Sequence, residues 1–222
     1  MNVNSEMTTL DIVSDVVCPW CYIGKQRLSG ALELLGPELP MRVRWRPYEL
    51  NPTMPRDGMD RKAYYVRKFG SEEYVEQLIA NVAANARNDG LELNYANITR
   101  VPNTRMAHRL IWLAERFDAQ DAIVDGLFAA YFVDGRDIGD SAVLIDIAVA
   151  AGLERATVEN FLAGDEAYDI IETEEREAQS SGIQGVPAFL LNGRFLFSGA
   201  QSPETISLAI TQALARNAPQ SA

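Results

Sequence analysis

The 222-residue sequence predicts an α/β fold in which a β–α–β opening and a β–β–α ending are separated by a large all-helical insertion. Three observations carry this. An apolar stretch, Thr9 to Asp15, runs through Cys18-Pro19-Trp20-Cys21 into a helical pattern and then into a second strand pattern. From Asn51 onward, helical periodicity continues almost without a break to about Ser181. After Gly182, two short apolar runs flank Asn192-Gly193, a strong hairpin-turn signal, before a last helix.

Taken in order, Thr9–Asp15 reads as a buried strand rich in Leu, Ile and Val. Pro19 suits the first turn of the following helix, where its missing N–H costs nothing. Tyr22, Ile23, Leu28, Ala31, Leu32 and Leu35 recur at helical spacing, and Gly36-Pro37 ends the run. Met41 to Leu50 reads as the second strand, with Met41, Val43 and Trp45 alternating against Arg42, Arg44 and Arg46. The polar, proline-rich 51–58 is a connector. Helices are then predicted from Ser71 to about Asn88, Asn103 (as N-cap) to Phe117, Ala119–Val133, Asp140–Ala151, Arg155–Ala163 and Asp165–Ser181, with Leu91–Ile98 extended. Val186–Leu191 and Arg194–Phe197 form the hairpin. Ser202, Pro203 and Glu204 supply an N-cap, a first-turn proline and an acid for a helix reaching about Arg216. The expected organisation is a discontinuous α/β unit from 9–51 and 183–222, a helical insertion at 52–182, and tails at 1–8 and after Arg216.

Composition removes several function classes. A net charge of −11 argues against nucleic acid, whose phosphates call for clustered Lys and Arg. No apolar run approaches the roughly 20 residues of a membrane span. Met1 to Met7 carries neither a basic nor an apolar signal region, so the expected location is cytoplasmic. Two cysteines and one histidine, His108, are too few for a structural zinc site or a secreted disulfide scaffold, and no metal is expected. Redox chemistry, a small local disulfide or two buried thiols are left.

A Cys-x-x-Cys beside a βαβ pattern reads as a thioredoxin-like redox motif. Unsatisfied N–H groups at a helix start suit an anionic sulfur on Cys18, and Cys21 is placed to close a ring on it. The competing readings of the pair alone are buried apolar thiols or half of a metal site. Pro19 stiffens the turn, and Trp20 at a helix start points to an exposed groove residue. Gly185-Val186-Pro187 enters a strand with a proline, which suits a cis-proline presenting the preceding backbone to a ligand; a trans-proline on an edge strand is the alternative. His108 lies on an amphipathic helix and reads as a histidine hydrogen-bonded within the insertion, ahead of one lining the groove opposite the cysteines. Glu172-Thr173-Glu174-Glu175-Arg176-Glu177 reads as a solvated helix face. Tyr64, Tyr65, Phe69 and Tyr74 read as core or insertion interface rather than a cofactor box.

Cys-Pro-Trp-Cys after the first strand, with Gly185-Val186-Pro187 before a C-terminal hairpin, resembles the DsbA-type branch of the thioredoxin superfamily. Asn103-Thr104, Ala107-His108-Arg109-Leu110 and Ser198-Gly199-Ala200-Gln201-Ser202-Pro203-Glu204 resemble the FrnE-like subgroup, over about Thr9 to Arg216. The resemblance implies a thioredoxin-like fold interrupted by a helical insertion, and a thiol–disulfide oxidoreductase. It implies Cys18 as attacking and Cys21 as resolving cysteine, with Pro19, Trp20, Val186 and Pro187 at the substrate. DsbA carries Pro-His between its cysteines where this chain carries Pro-Trp, so a couple less oxidising than DsbA's, about −120 mV, is expected. Thiol- or disulfide-containing proteins or small molecules are the implied partners. No cofactor is required; glutathione stays open as redox partner or substrate, as does a homodimer. Two further readings stand beside the first: glutathione-dependent chemistry like that of kappa-class transferases and 2-hydroxychromene-2-carboxylate isomerases, and a binding or chaperone module with a merely stabilising disulfide.

Overall fold

The computed structural model describes residues 7–217. Four strands form one sheet in the order β2-β1-β5-β6: β1 (Thr8–Ser14), β2 (Met41–Pro47), β5 (Ala188–Leu191) and β6 (Arg194–Ser198). β1 and β2 run parallel, joined by α1 (Pro19–Leu35), whereas β5 pairs antiparallel with both β1 and β6. The sheet is therefore built from the two ends of the chain. Between them lie α2 (Arg61–Phe69), α3 (Glu72–Asn88), α4 (Arg105–Glu115), α5 (Gln120–Phe132), α6 (Ser141–Ala150), α7 (Arg155–Ala163) and α8 (Tyr168–Ser180). A two-residue strand pair, β3 (Met59–Asp60) with β4 (Arg100–Val101), brackets α2 and α3. The chain closes with α9 (Pro203–Asn217).

β1 is central and buried on both faces, which is why its sequence is nearly continuous in apolar residues. α1 packs against α9, while α4, α5 and α8 pack on β2. Helices of the inserted block thus cover the sheet that the chain ends build. Polar residues in the sheet are paired across the ladder: Asp11 lies opposite Arg44, and Arg44 donates to both its oxygens at 2.7 and 2.9 Å. Arg44 and Arg46 are half-buried against that carboxylate, Arg42 is exposed, and Trp45 faces the core.

Local signals set most element ends. Gly36 closes α1 with φ of +72°, a conformation that costs glycine little. Asn192 and Gly193 have φ of 50° and 74°, the double positive turn that suits a two-residue hairpin. Ser202 caps α9 by accepting from the Thr205 N–H at 3.3 Å.

Other ends shift. β1 begins at Thr8, so the predicted 1–8 tail keeps only Met7 among the described residues; 1–6 lie outside them, as do 218–222 of the predicted C-terminal tail. β2 stops at Pro47 rather than Leu50, because β1 ends at Ser14 and its last carbonyl accepts from Tyr48. α4 starts at Arg105, after Thr104, and not at an Asn103 cap. Asn103 instead ties two segments, accepting from the Arg105 N–H and donating to the Met54 carbonyl. α8 starts at Tyr168 rather than Asp165. α2, capped by Asp60, is a separate helix that the periodicity did not resolve from the block.

Candidate active site around Cys18

The site forms where β1 runs out. After Ser14 the chain turns, and the Cys18 N–H donates to the Asp15 carbonyl at 3.0 Å. That places Cys18 as the N-cap of α1 with extended backbone and a side chain free of capping duty; Pro19 follows at the first helical position. The carbonyl of Cys18 receives the Cys21 N–H at 3.0 Å. Both cysteines are free thiols.

Pairing of β5 with β1 brings the second sequence motif to the same place. Val13 lies opposite Ala188, so the residues entering β5 meet the residues leaving β1. The Val186–Pro187 peptide is cis, and the Cys18 thiol reaches the Val186 carbonyl at 3.8 Å, a sulfur hydrogen bond. The Pro187 ring lies over Gly24 of α1: a Cβ there would stand 2.9 Å from Pro187 Cγ. Gly24→Ala is therefore expected to lower stability by about 1–3 kcal/mol through overpacking. Urea denaturation measures it, and an unchanged midpoint would show that the ring yields freely.

A cavity of about 400 Å³ opens over Cys18. Cys18, Pro19, Trp20 and Val186 line it, as do faces of α2 and α3. Pro187 and Cys21 do not. Cys21 lies beneath, 1% exposed against 5% for Cys18. Burial, followed by the Cys18 sulfur next to it, pushes the Cys21 thiol well up, with Ser14 and the Asp15 backbone pulling the other way. The two sulfurs are thus unequal, one facing a cavity and one sealed behind it.

His108 does not line the cavity. It is buried behind the cysteine turn, its Nε2 3.4 Å from Asp15 Oδ1. Asp15 Oδ2 accepts from the Leu50 N–H at 2.8 Å. Burial disfavours the imidazolium, but Asp15, with Glu49 and Glu175 farther out, outweighs it and raises the His108 pKa. The partner is thus an acid of the β1–α1 turn, not a group within the insertion.

Three further expectations are corrected. Trp20 lines the cavity, as expected of a groove residue, but it is half-buried against the core rather than exposed. The run 172–177 is not simply a solvated face: Glu175 is buried and accepts from the Glu49 N–H, while Glu49 is held by Arg105 at 2.6 Å. Burial, first of all, raises the pKa of Glu175. Of the four aromatic residues assigned to core or interface, Tyr64 is buried in a small core cluster with Tyr65 packed on it, as expected, but both also line the cavity with Phe69; Tyr74 is exposed. Burial pushes the Tyr65 phenol up to about 12, against the pull of Arg61, whose guanidinium lies 5.6 Å from the ring.

Tyr64, Tyr65, Lys68 and Phe69 share one face of α2, and Val75, Leu78, Ile79 and Val82 one face of α3. The i, i+3, i+4 spacing was the available signal for both faces. It could not say that the partner of those faces would be a cysteine.

A family profile for the DSBA-like thioredoxin domain matches residues 9–211. This chain belongs to that family. Its members are oxidoreductases, and the sheet with its inserted helices is the thioredoxin fold of the DsbA type. A probable DsbA oxidoreductase from Streptomyces coelicolor is 34% identical, with a TM-score of 0.85 over 97% of this chain and 93% of that one. A 2-hydroxychromene-2-carboxylate isomerase shares the fold at 18% identity and a TM-score of 0.72, over 96% of this chain and all of the other. The cytosolic disulfide reductase DsbM from Pseudomonas aeruginosa, solved with GSH, does so at 20% identity and a TM-score of 0.63, over 94% and 98% of the two chains. Among the described residues, no helix of this DsbA-like protein is long and apolar enough to cross a membrane.

Proposed function

We propose that the protein is a disulfide oxidoreductase of the FrnE-like kind, with Cys18 the attacking and Cys21 the resolving cysteine. The observation that carries this is the inequality of the two thiols: Cys18 lines the cavity beside the Val186 carbonyl, and Cys21 is sealed beneath it with its proton held. The Cys18 sulfur, as thiolate, attacks one sulfur of a substrate disulfide. A Cys18–substrate disulfide forms, and the other substrate sulfur leaves as a thiolate. Cys21 then loses its proton and attacks the Cys18 sulfur. The Cys18–Cys21 disulfide forms, the second substrate thiolate leaves, and two electrons have passed from the protein to the substrate. Val186 positions the entering sulfur, Pro187 holds Val186 in place by packing on Gly24, and Pro19 and Trp20 line the same cavity. In the reducing cytoplasm, thiols of the glutathione class would return the pair to the dithiol.

Trapping tests the assignment. Cys21→Ser is expected to accumulate a Cys18 mixed disulfide, seen by mass spectrometry, and Cys18→Ser to accumulate none and reduce nothing above background. Wild-type turnover in either variant would dismiss the reading.

The largely apolar cavity also favours a second reading, glutathione-dependent isomerisation or conjugation of a small molecule. Loss of such an activity on alkylating Cys18, in a protein unable to reduce any disulfide, would select it over the first.

A further inference from the structure

Resting on the oxidoreductase reading, we propose that the cavity over Cys18 takes a low-molecular-weight aromatic disulfide bearing a carboxylate, held by Lys68, rather than a disulfide within a protein. Cys18 is only 5% exposed, at the base of a space of about 400 Å³ walled by α2 and α3. That volume is in the range of small-molecule sites. A protein disulfide carries two backbone segments with Cα atoms about 4.4–6.8 Å apart, and both would have to enter with it.

The walls specify the body of the ligand. Tyr64, Tyr65 and Phe69 form a run of aromatic contacts with centroids 5.6 and 5.7 Å apart, and Trp20 and Tyr95 add two more rings. Planar rings stack on such walls with little loss of conformational freedom.

Charge specifies the polar end. Lys68 is the single charged side chain among the cavity's lining residues, in a chain whose net charge is −11. Its ammonium donates to Asn51 Oδ1 at 3.0 Å and to the Tyr64 hydroxyl at 2.8 Å, both neutral groups. Lys68 is exposed at the mouth of the cavity and has no carboxylate ion-pair partner among the described residues, so its ammonium is available to an anion there. Behind the rings, Arg61 lies 5.6 Å from Tyr65 and 5.9 Å from Tyr95, adding potential of the same sign. An anionic ring compound gains there and a cationic one loses. The reaction balances: one diaryl disulfide and the Cys18–Cys21 dithiol give two aryl thiols and the Cys18–Cys21 disulfide.

The test is single-turnover oxidation of the reduced protein at neutral pH by bis(carboxyphenyl) disulfide, by bis(aminomethylphenyl) disulfide, whose benzylic amines are protonated there, and by insulin. Each rate is divided by that of the same disulfide with dithiothreitol, which cancels intrinsic reactivity. The carboxylate compound is expected to lead the amine by about tenfold and insulin by more. Lys68→Gln is expected to erase the lead over the amine by slowing the carboxylate far more than the amine, and Lys68→Glu to reverse it. A normalised insulin rate equal to the carboxylate's, or equal slowing of both aryl disulfides by Lys68→Gln, overturns the proposal while leaving the oxidoreductase reading intact. Failure of all three disulfides to oxidise the pair removes that reading, and the proposal with it.

Discussion

His108→Ala is expected to destabilise the protein by about 3–5 kcal/mol, the cost of stranding a buried charge. Asp15 is fully buried in the turn between β1 and α1, and the His108 ring, its pKa raised by that carboxylate against the cost of burial, faces its Oδ1. Glu49 faces the same region but is taken by Arg105, and Glu175 is engaged with the Glu49 backbone. Without the imidazole, Asp15 keeps only the Leu50 N–H. Its carbonyl also receives the Cys18 N–H, so movement of Asp15 displaces Cys18.

The pH dependence has a definite sign. His108 has a folded pKa above its ordinary value, so its stabilisation is full below about pH 6.5 and is lost as pH rises through the folded value. Glu174 and Glu175 are also raised, chiefly by burial, and their contribution falls with rising pH in a lower window that begins near the ordinary carboxylate value. Urea unfolding at about pH 6 and about pH 9 separates the two windows. Wild type is expected to lose stability across that interval, and His108→Gln to lose markedly less. Equal losses would show that His108 does not carry the charge.

Arg109→Ala is the second large effect, about 4 kcal/mol, with the melting temperature lower by roughly 8–16 °C for a chain of this size. Arg109 is wholly buried on α4. Its guanidinium donates to the carbonyls of Phe161, Gly164 and Glu166 at 3.0, 2.7 and 2.8 Å, and lies 4.0 Å from the Tyr168 ring centre. One planar fork therefore holds the whole connection from α7 to α8. Charge-assisted bonds to carbonyls are worth more than neutral ones, and removal leaves those carbonyls with one donor fewer. Arg109→Lys is expected to recover little, because an ammonium cannot match three donors spread over that fork. A loss under about 1 kcal/mol in thermal or urea melts would refute this account.

His108 and Arg109 are neighbours in sequence, and both were legible as part of a family-like motif. Their partners were not. Asp15 precedes the cysteines in an apolar run, and the carbonyls that Arg109 binds have no side-chain signature at all. Glu175 shows the same limit from the other side: in a run of acids it reads as solvated, and only the approach of the Glu49 backbone buries it. The three aromatic residues of α2 over Cys18 stand at helical spacing, but spacing does not name what a face covers.

By itself the sequence determined the parts whose causes are local. A proline after Cys18 starts α1, Gly36 stops it, Asn192-Gly193 turns the hairpin, and two cysteines three positions apart share one helix start. Each depends on backbone dihedrals or i, i+3 and i, i+4 spacing, which a chain carries wherever it goes. Only the tertiary structure decided that Cys18 faces a cavity while Cys21 is sealed, that Val186 meets Cys18, and that the insertion roofs the site with tyrosines and one lysine. Those facts depend on residues more than a hundred positions apart meeting through the β1–β5 register and on helices packing across the sheet edge. Contact at that separation is set by how buried surfaces fit together, and no local pattern encodes it.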